Sequence, residues 1–137
     1  MNKFFVVASV SLVALAQPTV IDQFNFDELV ISEDKEFLSD KGWFIKFYAP
    51  WCGQCKAIEP IWLDFSLADL EINVGKVDCT NNAKLCNGFG VNKYPTIIYF
   101  PADEGYGGSY FRYEGPRTYG GFFKFSLGGG WKPADDL

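Results

Sequence analysis

Apolar runs separated by polar and glycine-containing segments predict the strands of a central sheet. The run Gly42–Tyr48, "GWFIKFY", is almost continuously apolar and aromatic, which is typical of a strand that is buried on both faces. Ile72–Asp78 is expected to form a second strand. Thr96–Phe100 and Ser109–Gly115 predict a hairpin with a glycine-rich connection.

The segment ahead of these runs is compatible with two interpretations. In the first, Phe26–Ile31, "FDELVI", forms a short strand, and Ser32 caps a helix over about Glu33–Asp40. The first turn of that helix would carry acidic residues, where the helix dipole favours them. In the second interpretation, Thr19–Ile21 is the first strand. The pattern favours the first interpretation.

Apolar positions at helical spacing predict the helices. Cys55–Leu70 places its apolar side chains near one stripe, and Pro60 is expected to kink this helix because proline lacks an N–H donor and clashes with the preceding turn. A short helix is expected over Asn81–Gly90, ended by glycine, and a last helix over about Arg117–Leu127, weakened by two internal glycines. The order β-α-β-α-β-α-β-β-α predicts a mixed sheet with helices on both faces.

The composition is that of one globular domain with a hydrophobic core. The chain has 137 residues, of which 48% are hydrophobic, so its four cysteines need not replace a core. The net charge is −5, and no basic patch indicates nucleic-acid binding. The absence of histidine excludes a Ser-His-Asp triad, a Cys-His protease and any histidine-containing zinc site. We expect a single domain over 17–127 and a flexible tail over 128–137.

The first residues have the pattern of a secretory leader. Lys3 supplies a positive charge, Phe4–Leu12 forms most of an apolar run, and Ala14 and Ala16 fit a cleavage site after Ala16. The alternative is an uncleaved membrane anchor, for which the apolar run is short. We therefore expect residues 1–16 to be a signal peptide, the mature chain to have no membrane span, and its compartment to be oxidising.

The stretch Phe47–Lys56, "FYAPWCGQCK", carries the candidate chemistry. Cys52 is expected where a strand passes into a helix, so unpaired N–H groups and the helix dipole would stabilise its thiolate, the nucleophile in thiol exchange. Cys55 lies one turn later and is able to attack a mixed disulfide on Cys52, which releases the substrate. A Cys-x-x-Cys pair in a βαβ context is typical of a redox site.

Two other roles for these cysteines remain open from spacing alone. A zinc site would need Cys79 and Cys86 as its other ligands, but their spacing does not match a second Cys-x-x-Cys knuckle. A purely structural bridge between Cys52 and Cys55 is the other alternative. A reactive dithiol fits the expected position of Cys52 better, and we expect neither a metal nor a dissociable cofactor.

Several blocks of sequence resemble one catalytic thioredoxin-fold domain of the protein disulfide isomerase family. The blocks are "WFIKFYAPWCGQCKAIEP", "KVDCT", "GVNKYPTIIYF" and "YEGPRT", and the similarity runs from about Phe26 to Leu127. Their order and spacing carry the resemblance, beyond the Cys-x-x-Cys itself. It implies an α/β thioredoxin fold, with a central mixed β-sheet flanked by helices on both faces, and redox catalysis by Cys52 and Cys55.

The resemblance also implies roles for residues around the dithiol. Pro95 matches a cis-proline that faces the two cysteines, and with Trp51 and Tyr94 it would contact bound substrate. The alternatives are an ordinary trans proline and simple packing of Trp51. Arg117 matches an arginine that swings toward the second cysteine, where its charge would lower the pKa of Cys55. The alternative for Arg117 is a solvated side chain at a helix start.

Two residues, Gln54 and Lys46, depart from the family pattern. Together with Gly53 and Arg117, they are expected to tune the redox properties of the dithiol. Gln54 replaces the histidine of the usual Cys-Gly-His-Cys, and a neutral glutamine cannot stabilise a neighbouring thiolate as an imidazolium does. Lys46 replaces a buried glutamate that takes a proton from the second cysteine, whereas the usual lysine partner is present as Lys76. Two like charges in a low-dielectric site are costly unless one deprotonates or an acid approaches, and the sequence does not identify that acid.

The resemblance implies a disulfide between Cys79 and Cys86, with two free thiols as the alternative. The expected function is that of a thiol–disulfide oxidoreductase, which forms, reduces or rearranges disulfides in secretory-pathway proteins. Its partners would be cysteine-containing clients and an oxidase or glutathione. The alternative function is a chaperone-like substrate-binding module with low redox turnover. The expected location is the endoplasmic reticulum lumen, with secretion as the alternative, because the final "ADDL" only faintly resembles a retention signal.

Overall fold

The computed structural model of the chain describes residues 18–68, 71–102 and 108–132. The predicted signal peptide, 1–16, lies outside these ranges. Helices and strands alternate along most of the described chain. In order they are β1 (Thr19–Val20), α1 (Phe26–Leu29), β2 (Gly42–Tyr48), α2 (Gly53–Leu67), β3 (Ile72–Asp78), α3 (Ala83–Gly88), β4 (Thr96–Phe100), β5 (Phe111–Arg112) and α4 (Tyr119–Ser126).

The strand pairing brings the end of β2 next to the start of β4. The described strands form one mixed sheet in the order β1-β3-β2-β4-β5, in which β1, β3 and β2 are parallel and the other pairs antiparallel. Phe47 lies opposite Thr96 in the β2–β4 ladder. The residues that follow β2, including Cys52, and those that precede β4, including Pro95, therefore meet at one end of the sheet.

Alternating side chains of β2 divide the core into two halves, because successive residues of a strand point to opposite faces. Ile45 and Phe47 pack with α1 and α3 on one face. Phe44 packs with α2 and α4 on the other, where its ring centroid lies 5.2 Å from that of Trp62. Lys46 follows Phe44 by two residues and so points to the same face as Phe44, although it carries a charge.

The prediction of a strand at Phe26–Ile31 is wrong, and the alternative first strand is observed instead. Thr19–Val20 pairs in parallel with β3, and Phe26–Leu29 forms α1. The carboxylate of Asp22 accepts two backbone N–H bonds, at 2.8 and 2.9 Å, in the turn that precedes this helix. Phe26 and Val30 are both buried. Their spacing of four residues suits one face of a helical turn, which explains why the segment is not extended.

The helix predicted over Glu33–Asp40 is also absent. Instead, Ile31 and Phe37 form an isolated antiparallel bridge. The turn between them is closed by the Lys35 N–H, which donates to the carbonyl of Ser32 at 2.9 Å. Lys35 has a positive φ of 63°, which interrupts any right-handed helix here. The antiparallel bridge between Ile31 and Phe37 therefore takes the place of the predicted helix.

The predictions for the longer strands are confirmed with their bounds, and those for the remaining helices are confirmed with bounds that differ by a few residues. β2, β3 and β4 have the predicted bounds, and β5 lies inside the predicted second arm of the hairpin. α2 begins at Gly53 and continues on both sides of Pro60. α3 and α4 lie inside the predicted ranges. The hydroxyl of Thr118 accepts a backbone N–H bond at 3.1 Å, and this cap fixes the start of α4.

Part of the predicted flexible tail, 128–137, belongs to the packed domain. The side chain of Trp131 is buried, and its ring centroid lies 5.3 Å from Tyr99 and 5.2 Å from Phe111. Its indole N–H donates to the backbone carbonyl of the last residue of α4 at 3.2 Å. The prediction that the domain ends at 127 is therefore wrong, because the packing continues to at least 131; residues 133–137 lie outside the described residues.

Candidate active site

The two cysteines of the Cys-x-x-Cys lie in the first turn of α2. Cys52 is the N-cap, and its sulfur accepts the backbone N–H of Cys55 at 3.2 Å. Neither cysteine is in a disulfide, so the structure is that of the reduced dithiol. Cys52 is 8% exposed and Cys55 is 2% exposed. Only an edge of Cys52 reaches solvent, which is less than the exposed helix start that the sequence predicts.

The surroundings of the two thiols shift their pKa values in opposite directions. Burial by itself would raise the pKa of Cys52, but hydrogen bonds from the Cys55 thiol and from the backbone N–H groups of Cys55 and Gln54, together with the charge of Arg117, lower it. Burial, the hydrogen bond shared with Cys52 and the negative charge of Cys52 raise the pKa of Cys55 to about 11, against the opposing effects of a backbone hydrogen bond at Ala49 and, more weakly, of the charge of Lys46. Cys52 is therefore the better nucleophile, and Cys55 holds its proton.

The residues expected to contact substrate surround Cys52. The Tyr94–Pro95 peptide bond is cis, as the resemblance implies. The Cys52 thiol donates to the Tyr94 carbonyl at 3.6 Å. Trp51 is 69% exposed, and its ring meets that of Tyr94 edge-on at 5.8 Å between centroids. The ring of Trp51 therefore lies outside the core, and its contact with substrate stays a prediction.

Gln54 and Arg117 form a contact that the sequence did not predict. The guanidinium of Arg117 donates from Nη1 to Oε1 of Gln54 at 2.8 Å. In this structure the charge of Arg117 acts on Cys52, whereas the action on Cys55 that the resemblance implies stays a prediction. Gly53 is exposed, and a side chain there would have open space. Nothing steric requires glycine at that position.

The acid that the sequence could not identify is Glu59. Its carboxylate lies 2.9 Å from the ammonium of Lys46, which is fully buried, and 3.7 Å from that of Lys76. Burial would raise the pKa of Glu59, but the two lysines lower it. Lys46 and Lys76 are register partners in the β2–β3 ladder, so the expected pair of neighbouring cations exists. One signal was available in the sequence: Glu59 follows Cys55 by four residues, which puts both on one face of α2.

Cys79 and Cys86 form a disulfide on the other side of the sheet. Their sulfurs are bonded, with Cα atoms 5.8 Å apart, where β3 leads into α3. Both side chains belong to the core half that contains Ile45 and Phe47. In this state neither sulfur is free to be a zinc ligand, which removes the ligands that the zinc alternative needs. Among the described residues, no group of three or more His, Cys, Asp or Glu could hold a metal ion.

Comparison with known proteins gives the family. The family model described as Thioredoxin matches residues 17–125. The chain belongs to the thioredoxin family. This thioredoxin domain is similar to human protein disulfide-isomerase TMX3, with 40% identity over 96 residues, which cover 67% of this chain and 20% of the relative. It is also similar to protein disulfide-isomerase from Gallus gallus, with 40% identity over 119 residues, 82% of this chain and 21% of the relative. The domain thus spans about a fifth of the curated relatives that it matches.

Solved structures confirm the predicted thioredoxin fold. Full-length ERdj5 superposes on 85% of this chain with a TM-score of 0.71 and 27% identity, using 16% of its own chain. The first thioredoxin domain of mouse protein disulfide-isomerase A4 covers 96% of this chain and 94% of its own, with a TM-score of 0.66 and 26% identity. Within the described part of the thioredoxin domain, none of the helices is long and apolar enough to span a membrane.

Proposed function

We propose that this thioredoxin domain is a thiol–disulfide oxidoreductase of the protein disulfide isomerase type, with Cys52 and Cys55 as its reacting groups. The observation that carries the proposal is a pair of thiols in one helical turn, beside a cis-proline, whose surroundings shift their pKa values in opposite directions. Thiol exchange needs one ready thiolate and one thiol held in reserve. The similarity to two proteins named disulfide-isomerase supports the same reaction class.

The reaction consists of two exchanges at sulfur. The Cys52 thiolate attacks a client disulfide, so that a mixed disulfide forms and the other client sulfur leaves as a thiolate. Cys55 then loses its proton and attacks the sulfur of Cys52. The Cys52–Cys55 bond forms, the bond to the client breaks, and the client leaves with both sulfurs reduced. The same steps in reverse oxidise a client dithiol, and the redox poise of the compartment decides the net direction.

Client binding is assigned to the rim beside Cys52. Trp51 offers an exposed ring, and the carbonyl of half-buried Tyr94 lies 3.6 Å from the Cys52 sulfur, whereas Pro95 itself is buried and would support this rim from beneath. The large apolar area of an aromatic side chain suits unfolded clients that lack a defined surface. Trp51→Ala is therefore expected to weaken client binding more than it affects the reaction of Cys52 with a small disulfide.

We assign the domain to the secretory pathway, with the endoplasmic reticulum lumen as its site and secretion as the alternative. The leader-like residues 1–16 support this location. The Cys79–Cys86 disulfide supports an oxidising compartment as well, since such bonds are rare where thiols are kept reduced. The partners are then cysteine-containing secretory clients, and an oxidase or glutathione that resets the dithiol.

Insulin reduction by dithiothreitol tests the proposed function. The wild-type domain should accelerate the reaction, and Cys52→Ala should return it to the rate without protein, because the attacking thiolate is gone. A variant with both Cys79→Ala and Cys86→Ala is the matched control. It also lacks cysteines but keeps the α2 dithiol, so it should remain active wherever it is folded.

The chaperone-like alternative rests on the exposure of Trp51 alone. A binding module would slow the aggregation of unfolded clients equally in the wild type and in Cys52→Ala. If the wild type did not accelerate insulin reduction but both proteins suppressed aggregation, the binding module would be the correct function.

A further inference from the structure

The buried ion pair on the Cys55 face of α2 has no assigned part in the exchange steps. The ammonium of Lys46 is fully buried at 2.9 Å from the Glu59 carboxylate. Glu59 stands one helical turn after Cys55, so the contact holds Lys46 against the face of the helix that carries Cys55. Lys46 also lies 5.2 Å from the centroid of the Tyr48 ring. The charge of Lys46 is in this way fixed on the inner side of the dithiol.

Charged and titratable groups surround Cys55 and the Lys46–Glu59 ion pair on each element packed there. The strands contribute both signs of charge, and the helix contributes a thiol and a carboxylate. Of the two lysines that contact Glu59, Lys46 is fully buried, whereas the side chain of Lys76 is 26% exposed and therefore better screened by solvent. The groups are Cys52 and Glu59 on α2, Lys46 and Tyr48 on β2, and Lys76 and Asp78 on β3.

Lys46, Glu59 and Lys76 form an ion cluster in which the ammonium of Lys46 is fully buried, whereas Glu59 and Lys76 are partly exposed and better screened by solvent. A buried positive charge favours a thiolate nearby. Glu59 itself is a poor proton acceptor, because both lysines lower its pKa. The ammonium of Lys46 is ion-paired with that carboxylate at 2.9 Å. The cluster is therefore able to act through charge rather than as a base.

We propose that the buried ammonium of Lys46, held in place by Glu59, stabilises the thiolate that Cys55 becomes when it attacks the mixed disulfide, and so sets the rate of client release. This inference rests on the proposed function. In the step concerned, the Cys55 proton passes to water, the Cys52–Cys55 bond forms and the Cys52–client bond breaks. The client sulfur leaves as a thiolate and takes a proton from water. In this step Cys55 is oxidised from thiol to disulfide and the departing client sulfur is reduced from disulfide to thiolate; over the two exchanges together the two cysteines lose two electrons and the client gains the same two.

The aromatic disulfide dithionitrobenzoate separates the two exchanges in one experiment. Each exchange releases one coloured nitrothiolate: the first when Cys52 attacks the reagent, the second when Cys55 attacks the resulting adduct. Because the leaving group is the same in both, the rate of the second phase reports on Cys55 alone. Stopped-flow absorbance across a range of pH then measures both phases for the wild type and its variants.

Lys46→Met should slow the second phase by about threefold at neutral pH, because loss of the charge raises the pKa of Cys55 and so lowers its thiolate fraction, and the greater nucleophilicity of a more basic thiolate offsets only part of that loss. The first phase should change by less than about twofold, since the charge that acts on Cys52 is that of Arg117. Lys46→Arg keeps the charge and should restore the fast second phase. The matched control, Lys76→Met, removes a cation from the same carboxylate and should leave the second phase within about twofold.

If Lys46→Met does not fold, the double variant Lys46→Met/Glu59→Gln, which leaves neither charge of the pair, must show the same slow second phase. A second phase that is unchanged without Lys46, or equally slow in Lys46→Met and Lys76→Met, would overturn the inference. So would a Lys46→Arg variant as slow as Lys46→Met. The proposed function fails in a different way, namely if the wild type itself releases no second nitrothiolate.

Discussion

Gln54 and Lys46, the two residues that depart from the family pattern, each have a partner on another element. Gln54 accepts a hydrogen bond from Arg117, and Lys46 pairs with Glu59. The positions of Cys52 and Cys55 at the start of α2 could be predicted from sequence, because their spacing within one helical turn is a local property. The partners of Gln54 and Lys46, by contrast, were not predicted, because neither contact is a local property of the sequence. Each contact joins residues that are brought together only by tertiary packing.

Gln54→His tests whether the missing imidazole matters for the redox potential. A protonated imidazole beside Cys52 would stabilise its thiolate and hence the reduced protein. The reduction potential should therefore rise by about 30 mV, which corresponds to about 1.4 kcal/mol. Equilibration with glutathione buffers measures the change.

Gln54→Ala is the control for that variant. It loses the contact with Arg117 but gains no imidazole, so its potential should not rise. Equal potentials for the wild type and Gln54→His would mean that the helix start and Arg117 already determine the stability of the Cys52 thiolate.

At the scale of elements, the long apolar strands were predictable and the short segments before them were not. Gly42–Tyr48 is buried on both faces, so its sequence has little freedom to be anything other than a central strand. Phe26–Ile31 has too few residues to show whether its apolar positions repeat every two residues, as in a strand, or nearly every four, as in a helix. The outcome was decided by the polar turn at Asp22 and by packing of Phe26 on the core. The packing of Trp131 was not predicted because three glycines, 128–130, come directly before it, and a glycine-rich segment favours a loop or tail.

The disulfide between β3 and α3 should stabilise the domain measurably. Its cysteines are seven residues apart, and in the chain-entropy model a loop of this size contributes about 2.5 kcal/mol to the free energy of unfolding. The double variant Cys79→Ala/Cys86→Ala should lose about that amount in urea unfolding. Unreduced wild-type protein should yield the Cys79–Cys86 cross-linked peptide on mapping. Two alkylatable thiols at these positions would contradict the account.

For the whole molecule, the ion cluster links stability to pH. The pKa of Glu59 is lower in the folded protein than its ordinary value, so its contribution to stability is present above the unfolded pKa of about 4.3 and is lost as the pH falls through the folded value. Glu59→Gln should therefore reduce the free energy of unfolding at neutral pH, by roughly 1 kcal/mol since the carboxylate is half exposed. The difference from wild type should shrink toward zero at about pH 3.

Urea unfolding at the two pH values measures this, with Glu33→Gln as a control at an exposed acid outside the cluster. The control should differ little from wild type at either pH. A Glu59→Gln penalty of the same size under both conditions would show that the cost is loss of packing or of a hydrogen bond, and that charge is not its source.

The trapping of mixed disulfides tests the central claim most directly, because it assigns attack to one cysteine and release to the other. Reduced wild-type, Cys52→Ala and Cys55→Ala proteins are mixed with an oxidised client, quenched in acid and separated on non-reducing gels. Cys55→Ala should accumulate reducible adducts that map to Cys52, while Cys52→Ala traps almost none and the wild type shows only transient adducts. Equal client recovery with all three proteins, without reducible adducts, would contradict the account.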